Sequence, residues 1–500
     1  MARPVPPDHD AVMRPPTWLP DASHYPEQMT PLSATVWFEA LGLGLHEAAR
    51  ELRAPFGGLL ARTEGGWAYE GELQPDWEQD PDGLREAALG LHGRWERFYQ
   101  PRAWAITHEL WEMRPELPPA PEAVVLLDRM WQLVREQWTI HFLVVIPAQI
   151  AAEIFNDRYV ELFGDDDPLA PYRMLEAPRS EEELVLLARR AKALRVDHLI
   201  RDLPVEHALE RLRGLAHGRL WLHELSDYLH PLGSVGGRAR WHELSLQREA
   251  EFPQLTLESI RLYLEREPPE PRPRELVPEA LAELHGVCAA AFSLKEAHTY
   301  HIDYPGLLAT REVLLGFGRR LVAEGLLDTT DDVWLLSRDE LREALTEADD
   351  LRNLVAGRRE ELARGLADGP KPYLGDPPPK RERHAALEKF YGSAGRALAG
   401  AGASPGVAEG TARVVAGPHD LARVRPGDVL VAATTTPAWT PLFPSLAALV
   451  TETGGILSHA AVVAREYRIP AVVGAAGATS AIPDGARVRV NGTTGEVTLL

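Results

Sequence analysis

The sequence predicts a multidomain protein, with a mainly α-helical N-terminal and central part followed by a smaller β/α domain. Three observations carry this. From Pro81 to about Gly365, apolar residues recur at i, i+3 and i+4, the spacing of one face of a helix. Between 366 and 403 that order gives way to proline, alanine and glycine. From 404 onward, short apolar runs alternate with glycine and proline turns, the pattern of buried strands. The expected division is an irregular proline-rich arm at 1–20, a helical unit at 21–365, a connector at 366–403 and a β/α unit at 404–500.

Length and composition narrow the class. A chain of 500 residues suggests two to four domains with substantial cores. Hydrophobic content of 45% and charged content of 25% are ordinary for a globular protein. A net charge of −21 argues against nucleic acid or an anionic membrane as partner. The single cysteine, Cys288, excludes an intrachain disulfide framework and a cysteine-rich zinc site. The start, Met-Ala-Arg-Pro-Val-Pro-Pro, lacks an apolar signal segment, and no uninterrupted apolar run reaches spanning length. The expectation is a cytoplasmic protein.

In chain order, Thr30-Pro31 reads as a turn and helix start leading into 34–52. Gly65 to Gly71 is the best hairpin or strand in the N-terminal half. Helical patterns cover 82–98, 121–154, 181–199, 205–229, 278–300 and 310–324, with Trp104, Trp111, Trp131, Trp138 and Trp221 expected in the core. Asp331 to Leu336 reads as extended, followed by a helix capped through Ser337 and Glu340. In the final unit, 404–415, 428–433, 446–450, 487–491 and 495–500 read as strands.

One stretch, Val450 to Pro470, carries the chemistry. An apolar strand ends, Gly454-Gly455 permit a sharp reversal, Ser458 is a candidate N-cap, and Ala460 to Tyr467 are good helix formers. Pro470 then ends the helix. His459 thus falls in the first helical turn, among free N–H groups at the positive end of the dipole. That setting disfavours the imidazolium and suits an anion carried on the ring, so His459 is a candidate to accept and pass on a phosphoryl group. Taken alone, a histidine at a helix start also serves as a capping or packing residue. Thr434 to Pro441 is a loop before a helix, read equally as a phosphate-binding loop or a plain proline-rich turn. Arg465, six residues after His459, reads as a phosphate ligand or as an ordinary solvated or ion-paired side chain.

The segment resembles the phosphohistidine signature of the PEP-utilising enzymes, through Gly454, Gly455, Ser458, His459, Ala460 to Arg465 and the run Ile469 to Gly474. The likeness extends along 404–500, the swivelling phosphohistidine domain of that family, and is greatest to the rifampin phosphotransferase and PEP synthase types without their ATP-grasp domain. Leu457 stands where PEP synthases and dikinases usually carry Thr, so regulatory phosphorylation there is not carried over. The resemblance implies His459 as the catalytic carrier, with Gly454, Gly455, Ser458, Thr436 and Arg465 around its phosphate. Tyr25 to Ser33 is similar to the entry of the same family's substrate domain, and 311–320 with 331–340 to its central region.

The helical half is expected to hold the acceptor. Its most polar patch is His223, Asp227, His230, Arg238, Arg240 and His242, around the glycine-rich 233–237. His223, Asp227 and His230 share a helix face by spacing, and could supply a base and cations. His298 and His301 near Asp303 form a weaker second cluster; a metal site there is possible but has no further ligand pattern behind it, and no metal is assigned. No Walker-type loop and no ATP-grasp-like stretch is visible. The resulting expectation is a phosphotransferase subunit that binds no cofactor itself. A separate ATP-grasp protein with ATP and Mg would charge His459, and a small hydroxyl-bearing molecule would receive the phosphoryl group. The alternative is a non-catalytic phosphocarrier or regulatory protein phosphorylated on His459.

Overall fold

The structure is a computed structural model. It describes residues 15–21, 25, 27–116, 118–176, 182–229, 243–246, 248, 251, 253–265, 275–347, 350–377, 398–416, 420, 423–435 and 437–500.

Most of the N-terminal and central part is helical, organised on a 44-residue helix, Ala120–Phe163. By length and composition this helix is apolar enough to cross a membrane, but 61% of its most apolar window is buried within the fold. Leu127, Met130, Val134, Val144 and Phe155 are fully buried on it. Glu39–Glu51 and Ala282–His298 pack along it. Residues from all three share one core.

Helical periodicity is locally widened in three places, Ala34–Phe38, Trp95–Tyr99 and Thr299–Asp303, where one π-turn is inserted between α segments. The apolar spacing at 82–98 resolves into Pro81–Leu89, Leu91–Arg94 and the π-turn, continuing as Gln100–Glu112. Asp331 to Leu336 was expected to be extended and is instead mostly a 3-10 helix, Thr330–Leu335. The reason is a Thr329/Asp332 capping box, which satisfies the free N–H groups of a helical start. The Ser337/Glu340 box opens the next helix as expected.

A small sheet flanks this unit. Strands β1 (Thr17–Pro20), β2 (Leu59–Glu64), β3 (Trp67–Glu72) and β4 (Leu374–Gly375) lie in the order β2-β3-β1-β4, all antiparallel. The hairpin turns at Gly65-Gly66, both at positive φ as a two-residue loop requires. Thus 17–20 forms a strand within the span read as an arm. Helix Arg352–Asp368 and β4 likewise reach into the span read as connector. The connector's middle, 378–397, lies outside the described residues.

The helices Glu182–Ala193, Asp197–Asp202, Val205–Gly214 and Ala216–Tyr228 form a separate core around Trp221. Gln254–Glu265 joins two cores. Its Leu257 and Ile260 belong to this cluster, while Leu255 and Leu262 pack with Trp439, Leu442 and Phe443 of the C-terminal unit.

That unit is a seven-stranded sheet, ordered β11-β10-β6-β7-β8-β9-β5. The strands are β5 (Ala401–Ser404), β6 (Val407–Val415), β7 (Val429–Ala432), β8 (Ala448–Thr451), β9 (Ala471–Val473), β10 (Arg487–Asn491) and β11 (Glu496–Leu499). β6 to β9 are parallel. β7, β8 and β9 are buried at every residue, which explains their continuous apolar runs. The helix His459–Tyr467 crosses from β8 to β9, so its start lies past the carboxyl end of a parallel strand, where α/β sheets bind ligands.

Candidate active site

The histidine is placed by a short sequence of backbone decisions. After β8, the N–H groups of Glu452 and Thr453 still bond to Ala432 O and Ala433 O, at 3.1 Å each. Gly454 then takes φ +98°, where an added Cβ would lie 2.9 Å from the Ser458 side chain. Ser458 N–H closes a turn onto Gly455 O, and its own backbone is extended, as an N-cap requires. Its Oγ accepts from Ala461 N–H at 3.4 Å, which leaves the hydroxyl proton to donate elsewhere. His459 is the first helical residue. Arg468, in the left-handed region at φ 55°, ends the helix before Ile469-Pro470.

The ring of His459 does not face open solvent. Nδ1 lies 2.7 Å from Glu296 Oε2, on the helix Ala282–His298 of the helical unit. Nε2 lies 3.3 Å from Thr440 Oγ1. Glu296 also meets Lys295 Nζ at 3.1 Å, and both are buried. A carboxylate accepts only, so in the neutral ring it holds the proton on Nδ1 and leaves a lone pair on Nε2. The carboxylate thus sets the tautomer of a ring that the sequence left to the helix end alone.

Arg465 departs from expectation. Its side chain is fully buried, with Nε and Nη2 against Glu176 at 2.7–3.1 Å and Nη1 donating to Ala403 O and Ile456 O at 2.8 Å. All these partners are carboxylate or carbonyl oxygens, so it ties the histidine helix to the helical unit and does not reach out to a phosphate. Burial pushes the Glu176 carboxyl up to about 7 against the pull of Arg465.

Beside these lies a third buried group. His141 Nδ1 is 2.9 Å from Asp303 Oδ1, and His298 Nε2 is 3.5 Å from Asp303 Oδ2. Burial alone would raise the Asp303 carboxyl, but His141 and His298 outweigh it and hold it far below the usual range. His301 is turned away, its ring against Trp95 and Trp104.

The polar patch expected to bind the acceptor is only partly placed. His223 and Asp227 are 3.9 Å apart on a solvent-facing helix, with side chains 73% and 69% exposed. Among the described residues neither bonds to the His459 network. His230, Arg238, Arg240 and His242, like Thr436, lie outside the described residues. Glu243, next in the patch, is structural: it accepts from Thr30 N–H and from the hydroxyls of Thr30 and Ser33, fixing the Thr30-Pro31 helix start.

Sequence reasoning missed Glu296, Lys295, Thr440 and His141. Thr440 sits in the proline-rich loop singled out beforehand, and Lys295-Glu296 immediately precede His298. No local signal joins His141 to them.

Residues 424–495 match the family model of the PEP-utilising enzyme mobile domain. The chain is 29% identical, over 99% of its length, to a stretch covering 14% of the chondramide synthase of Chondromyces crocatus. It is 28% identical to the uncharacterized phosphotransferase YvkC of Bacillus subtilis, over 72% of this chain and 47% of that one. Identity to a rifampicin phosphotransferase of Streptomyces is 41%, over 38% of this chain and 22% of the relative. The chain thus spans less than half the length of these curated relatives. Parallel strands, a glycine turn and a capped histidine helix coincide with residues 424–495, which match the PEP-utilising enzyme mobile domain.

Proposed function

We propose that the chain is a phosphotransferase component in which Nε2 of His459 carries a phosphoryl group to an acceptor held by the helical unit. The observation that carries this reading is the 2.7 Å contact between His459 Nδ1 and Glu296, which joins the mobile-domain histidine to a helix of the other unit and leaves Nε2 to react. In the first step the donor's P–O bond breaks and an Nε2–P bond forms. In the second, an acceptor oxygen attacks phosphorus, the Nε2–P bond breaks, and the acceptor's hydroxyl proton passes to a base. Thr440 Oγ1, 3.3 Å from Nε2, is placed to donate to a phosphoryl oxygen there. Lys295 lies on the opposite carboxylate oxygen of Glu296 and balances its charge.

The relatives whose printed names are phosphotransferases support the reaction class. The acceptor is a small molecule with a hydroxyl, and the donor is ATP with Mg bound by a separate ATP-grasp partner. The arrangement described here is then the acceptor-facing one. Charging His459 requires the C-terminal unit to leave Glu296 and return, an ordinary hinge motion.

The test is phosphoryl labelling with labelled ATP in the presence and absence of an ATP-grasp partner. The chain alone should take up no label. With the partner, label should be acid-labile and base-stable, as a phosphoramidate is, and absent from His459→Ala. Acid-labile label retained in that variant, or label that moves with Ser458, would overturn the assignment.

A further inference from the structure

His298 and Asp303 are five residues apart, and in a regular α-helix such residues point roughly 140° away from each other. Here they meet because the intervening turn is π-helical. Tyr304 N–H bonds to Thr299 O five residues back, and Pro305 has no N–H to restore the α pattern. The wide turn is held by a built support. Gln137 of the long helix donates to Ile302 O at 2.9 Å, and it fits only because residue 306 is glycine, where a Cβ would lie 2.0 Å from the Gln137 amide. One turn further along the long helix, His141 closes the group from the other side.

With both imidazoles neutral, the protons and lone pairs of this group do not match. Nδ1 of His298 faces Leu294 O at 3.0 Å, and a carbonyl only accepts, so Nδ1 carries the ring proton. In the neutral ring Nε2 then holds a lone pair. That atom is buried, makes no hydrogen bond, and faces the Asp303 carboxylate at 3.5 Å. Two lone pairs directed at one another in a buried site repel; a positive centre between them, a second proton on His298 or a metal ion, removes the conflict, and His141 on the same carboxylate supplies the third ligand an ion would use. The ligating atoms of His141, His298 and Asp303 lie within 4.8 Å of one another. The Leu294 carbonyl behind His298 is the kind of outer partner that orients a metal-bound imidazole.

We propose that His141, His298 and Asp303 bind a divalent transition-metal cation of the zinc class. Two imidazoles and one carboxylate are the ligand set of such ions, and three protein ligands leave a coordination position open. The His141 side chain, 15% exposed, marks the way in. The site stands two residues along the helix from Glu296, the partner of His459. A part for the ion in polarising the acceptor hydroxyl would rest on the phosphotransfer reading; binding itself does not.

The experiment is a titration of the chelator-treated full chain with Co(II), read by visible ligand-field bands, followed by displacement with Zn(II). One equivalent of Co(II) should bind and be displaced by Zn(II). His298→Gln and His141→Gln should each weaken binding by at least roughly a hundredfold. His301→Gln, next to the site but turned onto Trp95 and Trp104, should bind as the native chain does. His141→Gln, at the most accessible ligand, keeps the test open if His298→Gln does not fold. Absence of Co(II) bands in the native chain, or bands that persist unchanged in His141→Gln, would show a purely hydrogen-bonded His–Asp–His group and overturn the proposal. Failure of phosphoryl labelling with metal binding intact would instead count against the transfer reading alone.

Discussion

The ion pair of Glu176 with Arg465 is a fully buried polar tie between the histidine helix and the helical unit, and removing it should release the C-terminal unit. Both side chains are buried, at 3% and 0% exposure, with three contacts of 2.7–3.1 Å between them. Arg465 also donates to Ala403 O and Ile456 O within its own unit, so changing it would damage that unit directly. Glu176 lies across the interface and is the cleaner perturbation. In Glu176→Ala the docked state holds a buried guanidinium without its counter-charge, at a cost of about 3–5 kcal/mol. The undocked state, with Arg465 in water, bears little of that cost. Docking should therefore weaken by two orders of magnitude or more, since about 1.4 kcal/mol is a factor of ten. Hydrogen exchange in the peptides holding 172–176, 290–297 and 456–460 reads this as faster opening, and small-angle scattering as a larger radius. The isolated fold of the C-terminal unit, followed by exchange in β7 and β8, should be unchanged. Exchange at the interface within about threefold of the native chain would mean that apolar contacts alone, such as Leu457 and Val462 in the helical core, hold the units together, and the argument from buried charge would fail.

Protonation of the same carboxyl sets a pH dependence. Burial raises its pKa from the ordinary 4.5 to about 7, so the packed state binds the proton more tightly. The sign follows: docking gains in full below about 4.5 and loses the gain as pH rises through about 7, while a carboxyl oxygen still accepts from Arg465 in the protonated form, an acceptor that Glu176→Ala removes. Glu176→Gln should flatten that dependence of interface exchange between pH 5 and pH 8, and an unaltered slope would assign it to another group. Ser458→Ala should lower the stability of the C-terminal unit by about 1 kcal/mol, measured by denaturant titration, while phosphoryl labelling persists. Gly454→Ala should do more harm, about 1–3 kcal/mol, because φ is +98° and the new methyl presses on Ser458; it should also slow labelling. Thr440→Val should leave the melting temperature near native and slow phosphoryl transfer tenfold or more, about 1.4 kcal/mol in the barrier; equal rates would exclude Thr440 from the reaction.

What the sequence determined by itself is what local spacing encodes. The i, i+3, i+4 pattern marked the helices, and the solid apolar runs marked β7 and β8 as buried strands. The glycine turn, the serine cap and the proline stop placed His459 at a helix start, because each of those residues acts on its own few neighbours. The π-turn at Thr299–Asp303 was not legible, since the apolar spacing around it differs too little from a helix and its cause, Pro305 with Gly306 against Gln137, is partly tertiary. Arg465 was left undecided for a related reason: charge at a given helix position looks the same in sequence whether its partner is a ligand or a buried Glu176 nearly three hundred residues away. Only the tertiary structure brought Glu296 to Nδ1 of His459 and His141 to Asp303. Those pairs are separated by 163 and 162 residues, and no local rule carries information across such loops; they form only because the apolar faces of Ala120–Phe163 and Ala282–His298 must be buried against each other, and His459 is carried onto Glu296 by the packing of Leu457 and Val462.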